Sequence, residues 1–232
     1  MLKPFAQNIW TLDGDRVRMG GVLPFTTRMT IVRLRAGDLW LHSPVRPTPE
    51  RQQTVNRLGP VAHIIAPNKI HSLGISAWSD LHPSATVWVS PGFTDRHPDI
   101  EVDAMLQTHV SPPWGDEIDH CLIEGHLFLD EVAFLHKPSK TLILTDYIQK
   151  HDTNGETWFW RVIKRAAGVL GKRGGTSIDI KLSVENRQAL RNSIDTILQW
   201  DFDNLIIAHG TCIRGGAKGE VRRAFDWVMR AH

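Results

Sequence analysis

Cysteine, tyrosine, charge of one sign and long apolar runs are all scarce in this chain, and each shortage closes off a class of protein. Only Cys121 and Cys212 are present. They form no C-x-x-C pair and no disulfide framework, leaving one bridge at most, as expected in a reducing compartment. Lys and Arg number 27 against 25 Asp and Glu, a net charge of +2. That balance is wrong for a protein whose main partner is a phosphate backbone, so no nucleic acid is expected as partner. The opening segment 1–8 lacks the continuous apolar stretch of a secretory signal, and no later run approaches a bilayer-spanning length. A cytoplasmic protein without a transmembrane segment is therefore expected. No internal repeat or low-complexity tract stands out. The stretch 171–176 is glycine-rich but lacks the P-loop order G-x-x-x-x-G-K-[ST], and reads as a flexible loop. One Tyr stands beside nine Trp, a ratio for which the sequence offers no functional reason.

What is there is an ordinary globular composition, 41% hydrophobic and 22% charged over 232 residues, enough for one domain across residues 1–232. Short β-rich runs at 9–12, 29–34 and 39–41, separated by glycine turns, predict an antiparallel meander. Thr48-Pro49-Glu50 marks a helix start, with Thr48 as cap and Pro49 in the first turn; the helix runs to Leu58 and stops at Gly59. Residues 61–66 form a nearly unbroken apolar run, the pattern of a strand covered on both faces. A short helix at 75–81 and a strand at 86–89 follow. The second half carries strand patterns at 121–124, 131–135, 141–145 and 205–208, and helix patterns at 156–170, 183–200 and 218–230. Two strand-rich halves, each with helices, predict an α/β fold of two packed mixed sheets sheathed by helices, a four-layer αβ/βα sandwich.

Several chemistry-bearing residues fall at the ends of these strands: Asn68 and His71 after 61–66, His126 after 121–124, Asp146 after 141–145, and His209 after 205–208. Side chains at the ends of several strands can converge on one point. A catalytic zinc commonly takes three His or carboxylate ligands and keeps one position for water, whose pKa it lowers. His71, Asp146 and His209 supply such a set. Taken singly, each reads as a strand-end or loop residue bonded to backbone or water; it is the set in a shared strand-end context that points to a metal. His126 is either a further ligand or a half-buried residue with its bonds satisfied. Asn68 fits hydrogen bonding to a ligand better than ligation, because an amide oxygen is a poor match for zinc. Cys212 is either near a metal or a small buried filler. The stretch 156–170 is basic and amphipathic: it is either packed on the sheet, or serves as a lid, a membrane-surface helix or a partner site.

The segments Ile64–Gly74, Gly125-His126, Thr141–Asp146 and Ile206–Gly210 resemble, in order and spacing, the metallo-β-lactamase fold superfamily, and within it a divergent family with an incomplete H-x-H-x-D-H motif. The resemblance covers nearly the whole chain. It places Ala66 and Asn68 on the first two motif histidines, Ile70 on the motif aspartate and His71 on the last histidine. His126 falls on the third metal-binding histidine, Asp146 on the bridging aspartate and His209 on the final histidine. One metal cluster is thus reduced to Asn68 and His126, while Ile70 alone breaks the other. His42 and Ser43 occupy the strand end where the superfamily has an acidic residue behind its ligands, and either border the pocket or make a turn. The resemblance implies a hydrolase-like protein holding one divalent ion, zinc before iron or manganese, and acting on an ester, amide or phosphoester. The alternative is an inactive relative that binds a small molecule or serves as an interaction module. Substrate, and whether the chain forms a homo-oligomer, are not legible in the sequence.

Overall fold

The computed structural model describes residues 1–19, 23–151, 158, 162, 165, 168–170 and 174–230. Strands β1 (Leu2–Ala6), β2 (Ile9–Met19), β3 (Leu23–Arg33), β4 (Leu39–His42), β5 (Val61–Ala66), β6 (Thr86–Val89) and β7 (Ala104–Met105) make one sheet in chain order. Its first four strands pair antiparallel, which is the expected meander, and β4 through β7 pair parallel. The parallel pairs are joined by helices α1 (Pro49–Asn56), α2 (Ile75–Leu81) and α3 (Phe93–Arg96). Thr48 caps α1 as its sequence predicts, accepting from the Arg51 backbone N–H at 3.2 Å. The second sheet runs β11-β10-β9-β8, built from β8 (Ile118–Leu122), β9 (Val132–His136), β10 (Thr141–Leu144) and β11 (Asn204–Ile207). Only β10 and β11 pair parallel there. Helices α4 (Ile178–Leu182), α5 (Arg187–Gln199), α6 (Ala217–Ala224) and α7 (Asp226–Met229) accompany this sheet.

Alternation along the strands assigns each side chain to a layer. Ile64 and Ala66 join Val55, Ile75 and Trp78 in the core under the first sheet's helices. Leu142, Leu144, Leu205 and Ile207 join Leu190, Ile194 and Val221 in the core under the second sheet's helices. Ile65, Ile143 and Ile206, one position out of phase, meet between the sheets with Trp40, Phe134 and Trp114. Burying such a side chain contributes about 1.5–3 kcal/mol, so a one-residue slip that turned the set outward would be prohibitive. The result is the αβ/βα sandwich. The tryptophans acquire a structural role here: Trp114 meets the rings of Trp40 and Trp88 at 6.1 and 4.8 Å inside the sandwich.

Both cysteines are free thiols. No helix among the described residues is long and apolar enough to cross a membrane. Most of the predicted helix 156–170, and residues 171–173 of the predicted loop, lie outside the described residues.

Candidate metal centre

The two sheets each aim a pair of parallel strand ends at one spot. From the first, β4 ends in His42-Ser43 and β5 runs into the loop carrying Asn68 and His71. From the second, β10 delivers Asp146 and β11 delivers His209. One ligand atom each from His71, Asp146 and His209 lie within 4.8 Å of one another. His71 Nε2 is 3.0 Å from Asp146 Oδ2, and His209 Nε2 is 3.1 Å from Asp146 Oδ1.

Each of the three is held from behind. His209 Nδ1 lies 2.7 Å from the carbonyl of Thr26. A carbonyl only accepts, so Nδ1 carries a proton, and in the neutral ring Nε2 turns a lone pair toward the Asp146 carboxylate. Two acceptors facing each other at that distance require a positive charge between them, either an imidazolium proton or a cation. This donor set, two imidazole nitrogens and a carboxylate oxygen with one tautomer fixed by a hydrogen bond, fits a divalent ion. His71 Nδ1 lies 2.5 Å from the Ser43 hydroxyl, and Ser43 holds φ +52. A non-glycine residue in that region stores strain that packing must sustain, a feature concentrated at functional sites. The turn after His209 needs Gly210, whose φ is +111 and where a Cβ would fall 2.0 Å from the Lys150 carbonyl.

Asn68 is fully buried and spends its whole amide on the surrounding loops. Its Nδ2 donates to Thr145 Oγ1 and Asp146 Oδ2 at 3.0 and 2.7 Å, and its Oδ1 accepts from the backbone N–H of Ile70 and His71. Burial alone would push the Asp146 carboxyl up, but the facing His71 and His209 rings outweigh it and hold the group well below the usual carboxylate range.

The remaining expected residues lie elsewhere. His126 is not brought into the group: its Nδ1 accepts from the N–H of Phe128 and Leu129 at 3.3 and 3.2 Å, so it organises its own loop. His42 is buried in parallel stacking on Trp40, where desolvation lowers its pKa to about 3; Ser43, not His42, lines the cavity beside the group. Cys212 also lies outside the group, its sulfur 3.1 Å from Arg28 Nη1.

Two supporting residues have no counterpart in the sequence reading. Glu131 is wholly buried, and its carboxylate accepts the backbone N–H of Thr145, Asp146 and Tyr147 at 2.7, 2.8 and 3.2 Å, which sets the turn that presents Asp146. Burial and the neighbouring Asp146 raise its pKa to about 7, against the opposing pull of those N–H groups. A carboxylate heading the apolar run 132–135 was the available signal. Arg28 reaches across from β3 and donates through Nη1 to the carbonyls of Ile207 and Gly210 at 2.8 and 2.6 Å, clasping the turn that carries His209. Beside the group opens a cavity of about 300 Å³ walled chiefly by apolar side chains, Val17, Phe25, Val45 and Leu73 among them.

Residues 6–157 match the family model described as a domain of unknown function, DUF4336. No curated protein matches the chain. Among solved structures it is similar to the DIM-1 metallo-β-lactamase exposed to ceftazidime, at 12% identity and TM-score 0.67 over 98% of this chain and 96% of that one. The metallo-β-lactamase from Pontibacter korlensis matches at 11% identity and TM-score 0.65 over 100% and 99%. The metallo-β-lactamase FIM-1 from Pseudomonas aeruginosa, in its mono-zinc form, matches at 9% identity and TM-score 0.64 over 99% and 92%. Identities this low establish the fold, which is that of the metallo-β-lactamases, and leave activity to be argued from the site.

Proposed function

The chain belongs to the DUF4336 family, and within the metallo-β-lactamase fold we propose that it is a metal-dependent hydrolase holding one divalent ion, zinc, between His71, Asp146 and His209. The observation that carries this reading is the convergence of two imidazole Nε2 atoms on one buried carboxylate, with the far nitrogen of each ring engaged by Ser43 or Thr26. When bound, the ion would act as a Lewis acid and lower the pKa of water, the chemistry that cleaves an ester, amide or phosphoester. The chain's own residues do the rest. Asn68 fixes the carboxylate of Asp146, Ser43 and Thr26 fix the two rings, and the apolar cavity wall seats the organic part of a substrate away from water. A single ion is favoured because Ala66 is packed in the outer core of the first sheet and His126 bonds its own loop, which leaves Asn68 alone of that cluster, whereas Ile70 removes only one group from the cluster of His71, Asp146 and His209. The two free thiols suit the reducing, cytoplasmic setting proposed for it.

One observation favours a second reading, a relative that binds a small molecule without cleaving it. Ile70 stands where the superfamily has an aspartate, and it has no group to take or steer a proton. The two readings separate on purified protein prepared without chelator. The hydrolase reading expects near-stoichiometric metal that is lost in His71→Ala/His209→Ala, together with turnover of one member of a panel of nitrophenyl esters and phosphoesters. Metal-free protein whose double variant keeps its melting temperature would sink it.

A further inference from the structure

The cavity beside the metal group has one lining residue, among those described, that is permanently cationic: Arg96. Its backbone is fixed. Phe93 at the start of α3 is fully buried, and His97, just past its end, contacts the Lys69 carbonyl through Nε2 at 2.9 Å. The same loop goes on to Ile70 and His71, so α3 and the His71 loop are tied together. The Arg96 guanidinium makes no hydrogen bond or ion pair among the described residues. Its basic neighbour Lys69 is different, being occupied by Asp130. An arginine presented to an apolar cavity without a carboxylate of its own is a recognition element for an oxyanion, since its planar fork matches carboxylate geometry.

We propose that this cavity takes a small organic monoanion, with an apolar ring or short chain against Val17, Phe25, Val45 and Leu73 and a carboxylate on Arg96. The assignment names the substrate class of the hydrolase proposed above and rests on that reading. Size and charge support it together. A volume of about 300 Å³ lies at the small end of ligand pockets, which suits one ring or a short chain. Among the described lining residues one permanent cation matches a single negative charge, whereas a phosphate would call for a second. In the metal-loaded protein the charge of Asp146 would be met by the ion held between it and the two imidazoles.

The test is calorimetric titration of the full chain, chelator-treated and zinc-loaded, with 3-phenylpropionate, its neutral amide and 3-phenylpropylamine. The carboxylate is expected to bind about tenfold tighter than either analogue, the value of one charge-assisted hydrogen bond at a partly solvated rim. Arg96→Gln is expected to abolish that preference and Arg96→Lys to keep part of it. Arg96 is exposed, so both variants should fold as the parent does. Equal binding of carboxylate and amide, no binding of the carboxylate, or a preference that survives Arg96→Gln would each overturn the proposal. The two readings fail separately. Anion preference in chelator-treated protein that takes up no zinc leaves the pocket assignment standing and removes the hydrolase, and stoichiometric zinc without anion preference does the reverse.

Discussion

Replacing Glu131 by Gln isolates the carboxylate that shapes the Asp146 turn. The side chain keeps its volume, but one oxygen becomes an NH₂ group facing backbone donors, so at least one of the three N–H groups of residues 145–147 loses its acceptor. A buried unsatisfied donor costs about 1–3 kcal/mol. A second effect depends on pH. Glu131 has a folded-state pKa raised from 4.5 to about 7, so between those values the folded protein holds a proton that the unfolded chain has released. That proton stabilises the wild type most at low pH, and the contribution is lost as pH rises through 7. Gln has nothing to titrate. At about 1.4 kcal/mol per pH unit over the two units from pH 5 to 7, the variant should lag the wild type by roughly 2–3 kcal/mol more at pH 5 than at pH 8. Urea unfolding of metal-free protein at the two pH values measures this directly, and the buried histidines common to both proteins cancel in the difference. A stability gap that does not change with pH would refute the argument, and would mean that the three N–H groups keep Glu131 ionised throughout.

Two further substitutions test how the ligands are held. Asn68→Ala removes an amide that bonds Thr145, Asp146, Ile70 and His71 at once, and should cost about 2–4 kcal/mol in chemical unfolding and weaken zinc in chelator competition by about 10–100-fold. Arg28→Met frees the carbonyls of Ile207 and Gly210. It should weaken zinc by about tenfold and leave the circular dichroism spectrum unchanged, and unaltered affinity would show that the His209 turn holds itself.

The fold was legible wherever a local pattern decided it. The apolar run 61–66, the helix 75–81 and the strand 86–89 have the bounds their residues predict. Elsewhere tertiary partners overrode the pattern. Residues 183–186 read as the start of a helix, yet α5 begins at Arg187, because Ser183 and Val184 pair with the 126–127 loop and the Asn186 side chain caps Ala189. The stretch 218–230 divides at Phe225 into α6 and α7. The first strand, Leu2–Ala6, holds Pro4 and exposed residues and is a strand only through its pairing with β2. His71, Asp146 and His209 stood out because strand ends are visible in sequence. Thr26, Arg28 and Glu131 did not, since their roles depend on how one sheet is set against the other, and no window of sequence contains that.

The motif positions with and without a metal-binding side chain differ in what surrounds them. At the motif positions that carry no metal-binding side chain the chain has packing, Ala66 under the helices of the first sheet and Ile70 against the core of the second, while His126 turns to its own loop. Around His71, Asp146 and His209 the two sheets are joined by polar contacts, from His209 to Thr26, Arg28 to Gly210, Asn68 to Asp146 and Lys69 to Asp130. A single reversion such as Ile70→Asp would therefore set a carboxylate on the cavity wall beside Asp146 and against an apolar cluster, without supplying the histidine missing at position 66. Under the single-ion reading, a second ion would therefore need the outer core around position 66 repacked as well as new ligands supplied.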